Sequence, residues 1–493
     1  MPEDRPIPVA DLDWSPDRAR AFADRIVDLY TGYLESLPEA PAAPQVTPAS
    51  ARAALRMAVP DEPLSDDDIC AHLQALLDLS TRPGSGGFLA YISGGGTVPG
   101  AISDLLASGL NANVGGWAIS PAASEVEEQL VGWLAGRFGL PSSAGGMIVQ
   151  GGSLANLTGL KLARDHAWPP GRTDGVGAGP PLAFYTSSES HFTIERAADV
   201  LGLGEASVRK VSVDADMRMR VDELERMIAD DVAKGVRPAA VVATAGTTGT
   251  GAIDPLADVA AVASRHGVWF HVDAAYGGAV AVSDTLRPLL AGIELADSIT
   301  FDAHKWLYAP LTTAFILVRD AALLNGSFSA HAAYVEQERD VIERGPDMGM
   351  EGLQLSRSFS ALRVWVALLA HGRSAFARRI EHDVDLTSWL ARRVEETPEL
   401  EVACAPSLSI CCFRYHPDGV SDEEYLDRLN MRLMTEIQAD GEVFPSNAQV
   451  HERTALRSCI VTYRTEAVHL QILMDKALEI GARLHTGGTL VTP

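Results

Sequence analysis

Cysteine is scarce in this chain: five residues in 493, with no CxxC pair and no Cys/His grouping at metal-ligand spacing. That excludes a disulfide-stapled fold and a zinc site of the finger or ribbon kind. Cys70, Cys404, Cys411, Cys412 and Cys459 read instead as buried thiols in a reducing compartment. Basic residues are in the minority, 40 Lys plus Arg against 65 Asp plus Glu, for a formal charge of −25. With no Lys/Arg-rich run to track phosphates, no nucleic-acid partner is expected. No stretch approaches the ~18 apolar residues of a membrane span. The start, MPEDRPIPVADLDW, is acidic and proline-broken where a signal peptide has a basic and then apolar beginning. The expectations are therefore no membrane partner and a cytoplasmic location.

What is present is apolar mass, 47% of the residues, over a length too great for one core. Three regions are expected: a helical N-terminal arm over 1–97, a large α/β domain over 98–362 and a small α/β domain over 363–493. In the arm, SLPEAPAAPQVTP at 36–48 cannot be a helix interior or a central strand. At SPAASEVEEQLVGWLAGRFGLP the pattern changes. Ser120 is placed to cap a helix, Pro121 suits its first turn, and Val126, Leu130, Trp133 and Leu134 share a face.

Strands are expected at MIVQ (147–150), LAFYT (182–186), VRKVSV (208–213), AAVVAT (239–244), VWFHV (268–272), SITF (298–301) and TAFILV (313–318). Unbroken apolar runs alternating with helices predict a doubly wound, mostly parallel sheet covered on both faces. Beyond residue 363, LSICCFRYH, RSCIVTYR and a last helix through MDKALEIGARL predict the smaller lobe. There is no internal repeat, coiled coil or low-complexity segment.

In such a sheet, ligands bind beyond the carboxyl ends of the strands. Four strand ends carry notable residues: Asp273 after VWFHV, Asp302-Ala303-His304-Lys305-Trp306 after SITF, Ala245-Gly246-Thr247-Thr248 after AAVVAT, and Gly151-Gly152-Ser153 after MIVQ. Each alone reads as turn, cap or surface chemistry. GTTGTG at 246–251 imitates a nucleotide loop, but no Gly-Lys-Ser/Thr follows. As a set they meet the needs of a phosphorylated pyridine aldehyde. Amides of Gly152 and Ser153 at a helix start suit a phosphate, and the Asp273 carboxylate suits a protonated ring nitrogen. The Lys305 amine suits the aldehyde, and His191, in SESHFTIERA, suits the ring face.

HVDAAYGG (271–278) and FDAHKW (301–306) resemble the signatures of the group II amino-acid decarboxylases, which act through pyridoxal phosphate. The resemblance runs from about Phe88 to Trp365 through FLAYI, SPAASEVE, QGGSLAN, SESHFTIERA, TAGTTGTGAID and SRSFSALRVW, in the family's order. It implies fold type I, an amino-acid substrate attacked at Cα, and a homodimer with the site at the subunit boundary. By the same resemblance Lys305 carries the cofactor as a Schiff base, Asp273 pairs with the ring nitrogen, His191 stacks on the ring and Ala275 packs on its other face. Gly152, Ser153 and His304 hold the phosphate, with Asp302 where many members have asparagine. Thr248 and Asp254 line the ring. Tyr91, Gly115, Trp117 and Arg357 belong to the substrate pocket.

Two positions depart from that pattern. YVEQERDVIERGPDMGMEGLQLSRS, from Tyr334 onward, aligns with the family's mobile loop, but Met348 stands where a tyrosine protonates Cα after CO₂ leaves, and a thioether has no proton to give. Gly115 stands where aromatic decarboxylases tend to carry phenylalanine, which reads either as a flexible turn or as a roomier pocket. The reading favoured is decarboxylation coupled to oxidative deamination, yielding an aldehyde. β-Elimination on a Cβ-substituted amino acid, plain decarboxylation to an amine and a non-catalytic cofactor-binding scaffold stand as alternatives.

Overall fold

The computed structural model describes residues 12–329, 345 and 347–487; Tyr334 lies outside them. In chain order the helices and strands begin with α1 (Pro16–Ser36), α2 (Pro48–Leu55), α3 (Asp66–Leu79), α4 (Val98–Leu110) and α5 (Pro121–Phe138). They continue as β1 (Gly145–Val149), α6 (Gly152–Ala167), β2 (Leu182–Ser187), α7 (Thr193–Val200), β3 (Val208–Val211), α8 (Val221–Ala233), β4 (Arg237–Thr244) and α9 (Leu256–His266). Then come β5 (Trp269–Asp273), β6 (Ser298–Asp302), β7 (Ala314–Val318), α10 (Ala322–Phe328) and α11 (Ala361–Glu395), which breaks at Gly372. The chain closes with β8 (Leu400–Val402), β9 (Ile410–Tyr415), α12 (Glu423–Asp440), β10 (Ser446–Val450), β11 (Arg453–Cys459) and α13 (Ala467–Thr486).

All seven expected strands form one sheet in the order β1-β7-β6-β5-β4-β2-β3. Pairing is parallel from β6 through β5, β4 and β2 to β3, while β7 runs antiparallel to both of its neighbours. The alternation of side chains along a strand sorts the apolar runs onto two faces. Ala183, Tyr185, Val241, Ala243, Phe270 and Val272 pack with Leu134, Phe138, Leu224, Ile228 and Val259 of α5, α8 and α9. Leu182, Phe184, Ala240 and Val242 pack with Leu160, Leu162 and Ile194 of α6 and α7. This is the α/β fold type I architecture that the resemblance implied.

A second, antiparallel sheet, β10-β11-β9-β8, packs against α12 and α13. β8 and β10 were not expected: the first has three residues, and SNAQV, though its alternation leaves Asn447 and Gln449 exposed as in a half-buried strand, has three polar residues in five. The first core also takes in Ile410, Cys412, Ala455 and Cys459, so the two sheets share buried surface. α5 starts at Pro121 as expected, but Ser120 makes no side-chain cap bond, and its buried hydroxyl has no partner. Among the described residues no helix is long and apolar enough to cross a membrane.

Candidate active site

At the carboxyl ends of β4, β5 and β6 a cavity of about 270 Å³ opens against the start of α6. Gly152, Ser153, His191, Thr248, Asp273, Ala275, Asp302, His304 and Lys305 line it, nine of the predicted positions together. Gly151 and Gly246, both at strand ends noted in the sequence, line it as well, and so do Asn156, Thr193, Thr244 and Tyr276, which were not anticipated.

The local sequence explains the placement. Gly151, with φ of 93°, turns the chain from β1 into α6. The amides of Gly152 and Ser153, at the first two positions of the helix, have no acceptor within it. Across from them the turn after β6 is closed by the Lys305 amide donating to the Asp302 carbonyl (3.1 Å). The same turn sets Lys305 Nζ 3.1 Å and His304 Nε2 3.8 Å from Asp302 Oδ2. Asp302 is 2% exposed and its Oδ1 has no partner.

Asp273 ends β5 with both oxygens engaged: Oδ1 accepts from the Ala275 amide (3.1 Å) and Oδ2 from Asn156 Nδ2 (2.9 Å). Asn156 Oδ1 in turn faces His271 Nε2 (3.0 Å), and His271 Nδ1 faces Ser298 Oγ (2.7 Å). Burial pushes the His271 pKa down to about 4, partly opposed by Asp273. The amide of Thr193 donates to His191 Nδ1 (3.3 Å), which leaves the proton of the neutral ring on Nε2. Burial also lowers the His191 pKa, against the opposing pull of Asp273.

The remaining predicted residues lie elsewhere. Asp254 stands one layer behind the cavity, accepting from the amides of Met219 (2.7 Å) and Thr244 (2.8 Å), with its pKa pushed up to about 6 by burial. It therefore shapes the end of β4 without lining the cavity. Arg357 is buried: its guanidinium is paired with Glu127 and donates to the carbonyls of Ile148 (2.7 Å) and Val114 (3.1 Å). Those bonds tie it to the protein interior and correct the expectation of a substrate contact. Met348 is 3% exposed, its sulfur 3.2 Å from Arg357 Nη1.

Gly115 joins this second group. The Gly349 amide donates to its carbonyl (2.8 Å), and a Cβ on Gly115 would sit 1.9 Å from the Leu355 carbonyl oxygen. The space read as a roomier pocket is filled by backbone. The Trp117 amide donates to Asp347 (3.1 Å) and its indole to Glu125 (2.7 Å). Tyr91 stands apart, 62% exposed, with φ of 56°. A larger cavity, about 640 Å³, lies between Asp254–Asp258 and Cys404–Leu408, but none of Lys305, Asp273 or His191 borders it.

An amine, a carboxylate and a glycine-headed helix converge on one cavity, and the orphaned Asp302 oxygen adds a polar wall; these residues fit pyridoxal phosphate. Residues 48–416 match the model of the pyridoxal-dependent decarboxylase conserved domain. The chain belongs to that family. Its cofactor is pyridoxal phosphate, and its class is that of the group II amino-acid decarboxylases. An aromatic-L-amino-acid decarboxylase of Bacillus atrophaeus is 30% identical over 470 residues, 95% of this chain and 96% of that one. A phenylacetaldehyde synthase of Arabidopsis thaliana is 28% identical over 465 residues, 92% and 94% of the two. Among solved structures, Oryza sativa TDC with PLP and tryptamine superposes with a TM-score of 0.90 at 28% identity, covering 96% of this chain and 99% of that one.

Proposed function

We propose that this decarboxylase couples loss of CO₂ to oxidative deamination, releasing an aldehyde. The observation that carries the reading is Met348, a side chain with no proton to donate at the position where the family's loop supplies one. Bound through Lys305, pyridoxal phosphate supplies the electron sink for the pair left on Cα when CO₂ departs. Asp273, oriented by Asn156 and the Ala275 amide, would hold a proton on the ring nitrogen. His191 would cover the ring face and exclude water from it, with Ala275 on the other side. Gly152 and Ser153 take the phosphate through their amides, His304 flanks it, and Thr248 closes the wall beside the ring. With no donor at 348, O₂ takes the electrons: amino acid, O₂ and water yield aldehyde, CO₂, ammonia and hydrogen peroxide.

The working unit we infer is a homodimer. α4 exposes Ile102, Leu105, Leu106 and Leu110, and Ile119 and Leu355 add to the apolar surface; faces of this kind mark association sites. In that dimer Tyr91, exposed on this chain, and Trp117 would border a substrate bound in the second copy's cavity. A second reading, plain decarboxylation to an amine, is favoured by the similarity to the Bacillus atrophaeus enzyme. The deciding experiment incubates the enzyme with a panel of amino acids and assays CO₂, ammonia, peroxide, amine and carbonyl products separately. Equal CO₂, ammonia, aldehyde and peroxide supports the proposal. Stoichiometric amine without peroxide refutes it. Borohydride reduction followed by peptide mapping must place the cofactor on Lys305.

A further inference from the structure

The wall of the cavity facing the head of α6 is an anion. A Cβ placed on Gly152 would lie 2.7 Å from Asp302 Oδ2 and 2.9 Å from Oδ1, so the carboxylate is pressed against the first residue of the helix. It occupies the ground that a phosphate needs, beside amides that attract negative charge. Its Oδ1 is buried without a partner, and its Oδ2 is held by Lys305 at 3.1 Å.

The charged and titratable groups facing it among the described residues are few. Lys305 and His304 share its turn, His191 approaches from the segment before α7, and Asp273 lies at the end of β5. α6 contributes at its head only the Gly152 and Ser153 amides and the Ser153 hydroxyl. One lysine thus balances two carboxylates, and that lysine is engaged by the cofactor's carbonyl end on loading. With the protonated ring nitrogen answering Asp273, a phosphate arriving beside Asp302 would be a second anion there, and among the described residues no permanently charged cation is left to stand between the two. Two oxyanions in contact do not both remain ionised when one proton can bridge them.

We propose that Asp302 makes phosphate anchorage at the head of α6 proton-linked: binding takes up one proton, held between a phosphate oxygen and the Asp302 carboxylate. The inference rests on the reading that Gly152 and Ser153 receive the phosphate. It follows that this enzyme loads its cofactor more tightly as the pH falls, and that asparagine at 302 would remove that dependence by replacing the anion with an amide that donates to the phosphate directly.

The test titrates cofactor-free native protein and Asp302→Asn with pyridoxal phosphate by calorimetry, in buffers of different ionisation enthalpy. The native protein should take up about one more proton per site than the variant, and its Kd should rise about tenfold more per unit increase in pH. Pyridoxal, lacking the phosphate, should show no such excess; this arm uses native protein alone and stands if the variant fails to fold. Equal proton counts for native and variant, or the same uptake with pyridoxal, would overturn the proposal while leaving the cofactor on Lys305. A borohydride adduct on another lysine would overturn the site reading itself, and this inference with it.

Discussion

His271 and Asp273, two residues apart on one face of β5, are bridged by a single side chain from the facing helix, Asn156. The Asp273 carboxylate can only accept, which fixes the Asn156 amide as donor toward it and its carbonyl as acceptor toward His271. His271 therefore carries its proton on Nε2, and Nδ1 accepts from Ser298, whose oxygen accepts in turn from Trp269 Nε1 (2.8 Å). Every bond of the chain from Trp269 points the same way and ends on the Asp273 carboxylate, the group proposed to face the ring nitrogen.

Asn156→Leu removes the bridge while keeping the volume. It leaves the His271 Nε2 proton only the more distant Thr300 hydroxyl (3.4 Å) as acceptor and frees Asp273 to rotate. Turnover is expected to fall at least about tenfold, ~1.4 kcal/mol of barrier, with the cofactor absorbance retained. The measurement is kcat beside the visible spectrum. Native kcat in the variant would show that the bridge does not orient Asp273.

The neutrality of His271 sets a pH dependence of known sign. Its folded pKa, about 4, lies below the ordinary 6.5. The unfolded chain therefore binds the extra proton first, and stability is lost as the pH falls from about 6.5 toward 4. Asp254 and Asp383, whose pKa values burial raises to about 6, act in the opposite direction, so the native curve alone is ambiguous. The difference between native protein and His271→Gln isolates the histidine. It should shift against the native by ~2 kcal/mol between pH 7 and pH 5, read from urea midpoints at the two pH values. A difference that does not change with pH would mean that His271 takes up its proton in the fold as readily as in the unfolded chain.

Gly115→Ala tests the closed turn. Its methyl would meet the Leu355 carbonyl oxygen, forcing the 348–355 backbone away from the 113–117 turn and loosening Met348 and Arg357 with it. A loss of ~1–3 kcal/mol is expected, typical of overpacking, together with faster proteolysis near residue 350. Unchanged stability and protection would show that the two segments do not pack this way in solution.

The cavity was legible because strand ends and a glycine-headed helix are written in neighbouring residues: MIVQ-GGS, VWFHV-D and SITF-DAHK each place a functional group just past an apolar run. Asn156 and His271 were not read, since nothing local marks which polar residue meets which. A signal did exist. A histidine inside a buried apolar strand must be hydrogen-bonded within the core, and α6 crosses the sheet where its fifth residue, Asn156, can reach it. Arg357 and Gly115 were misplaced for the converse reason. Their partners Glu127, Ile148, Gly349 and Leu355 are distant in sequence or carry backbone contacts, which leave no trace in side-chain pattern.

Met348 bears on the outcome of the reaction more directly than any of these. Its side chain is buried against Arg357, and its sulfur offers no proton to the electron pair left at Cα. A tyrosine there would quench that pair at once, and the product would be an amine. On the proposed reading, methionine would let the pair persist and keep water away from it, so that O₂ would compete for it. Met348→Tyr is therefore expected to move the products from aldehyde, ammonia and peroxide toward amine, while CO₂ release continues. Excluding oxygen should suppress aldehyde in the native enzyme and leave the variant's amine unaffected. β-Elimination would be recognised by a keto acid formed without CO₂ and without oxygen. The check is product partition under air and under nitrogen, native beside variant; amine from both proteins, indifferent to oxygen, would mean that another group delivers the proton and that Met348 is a neutral replacement.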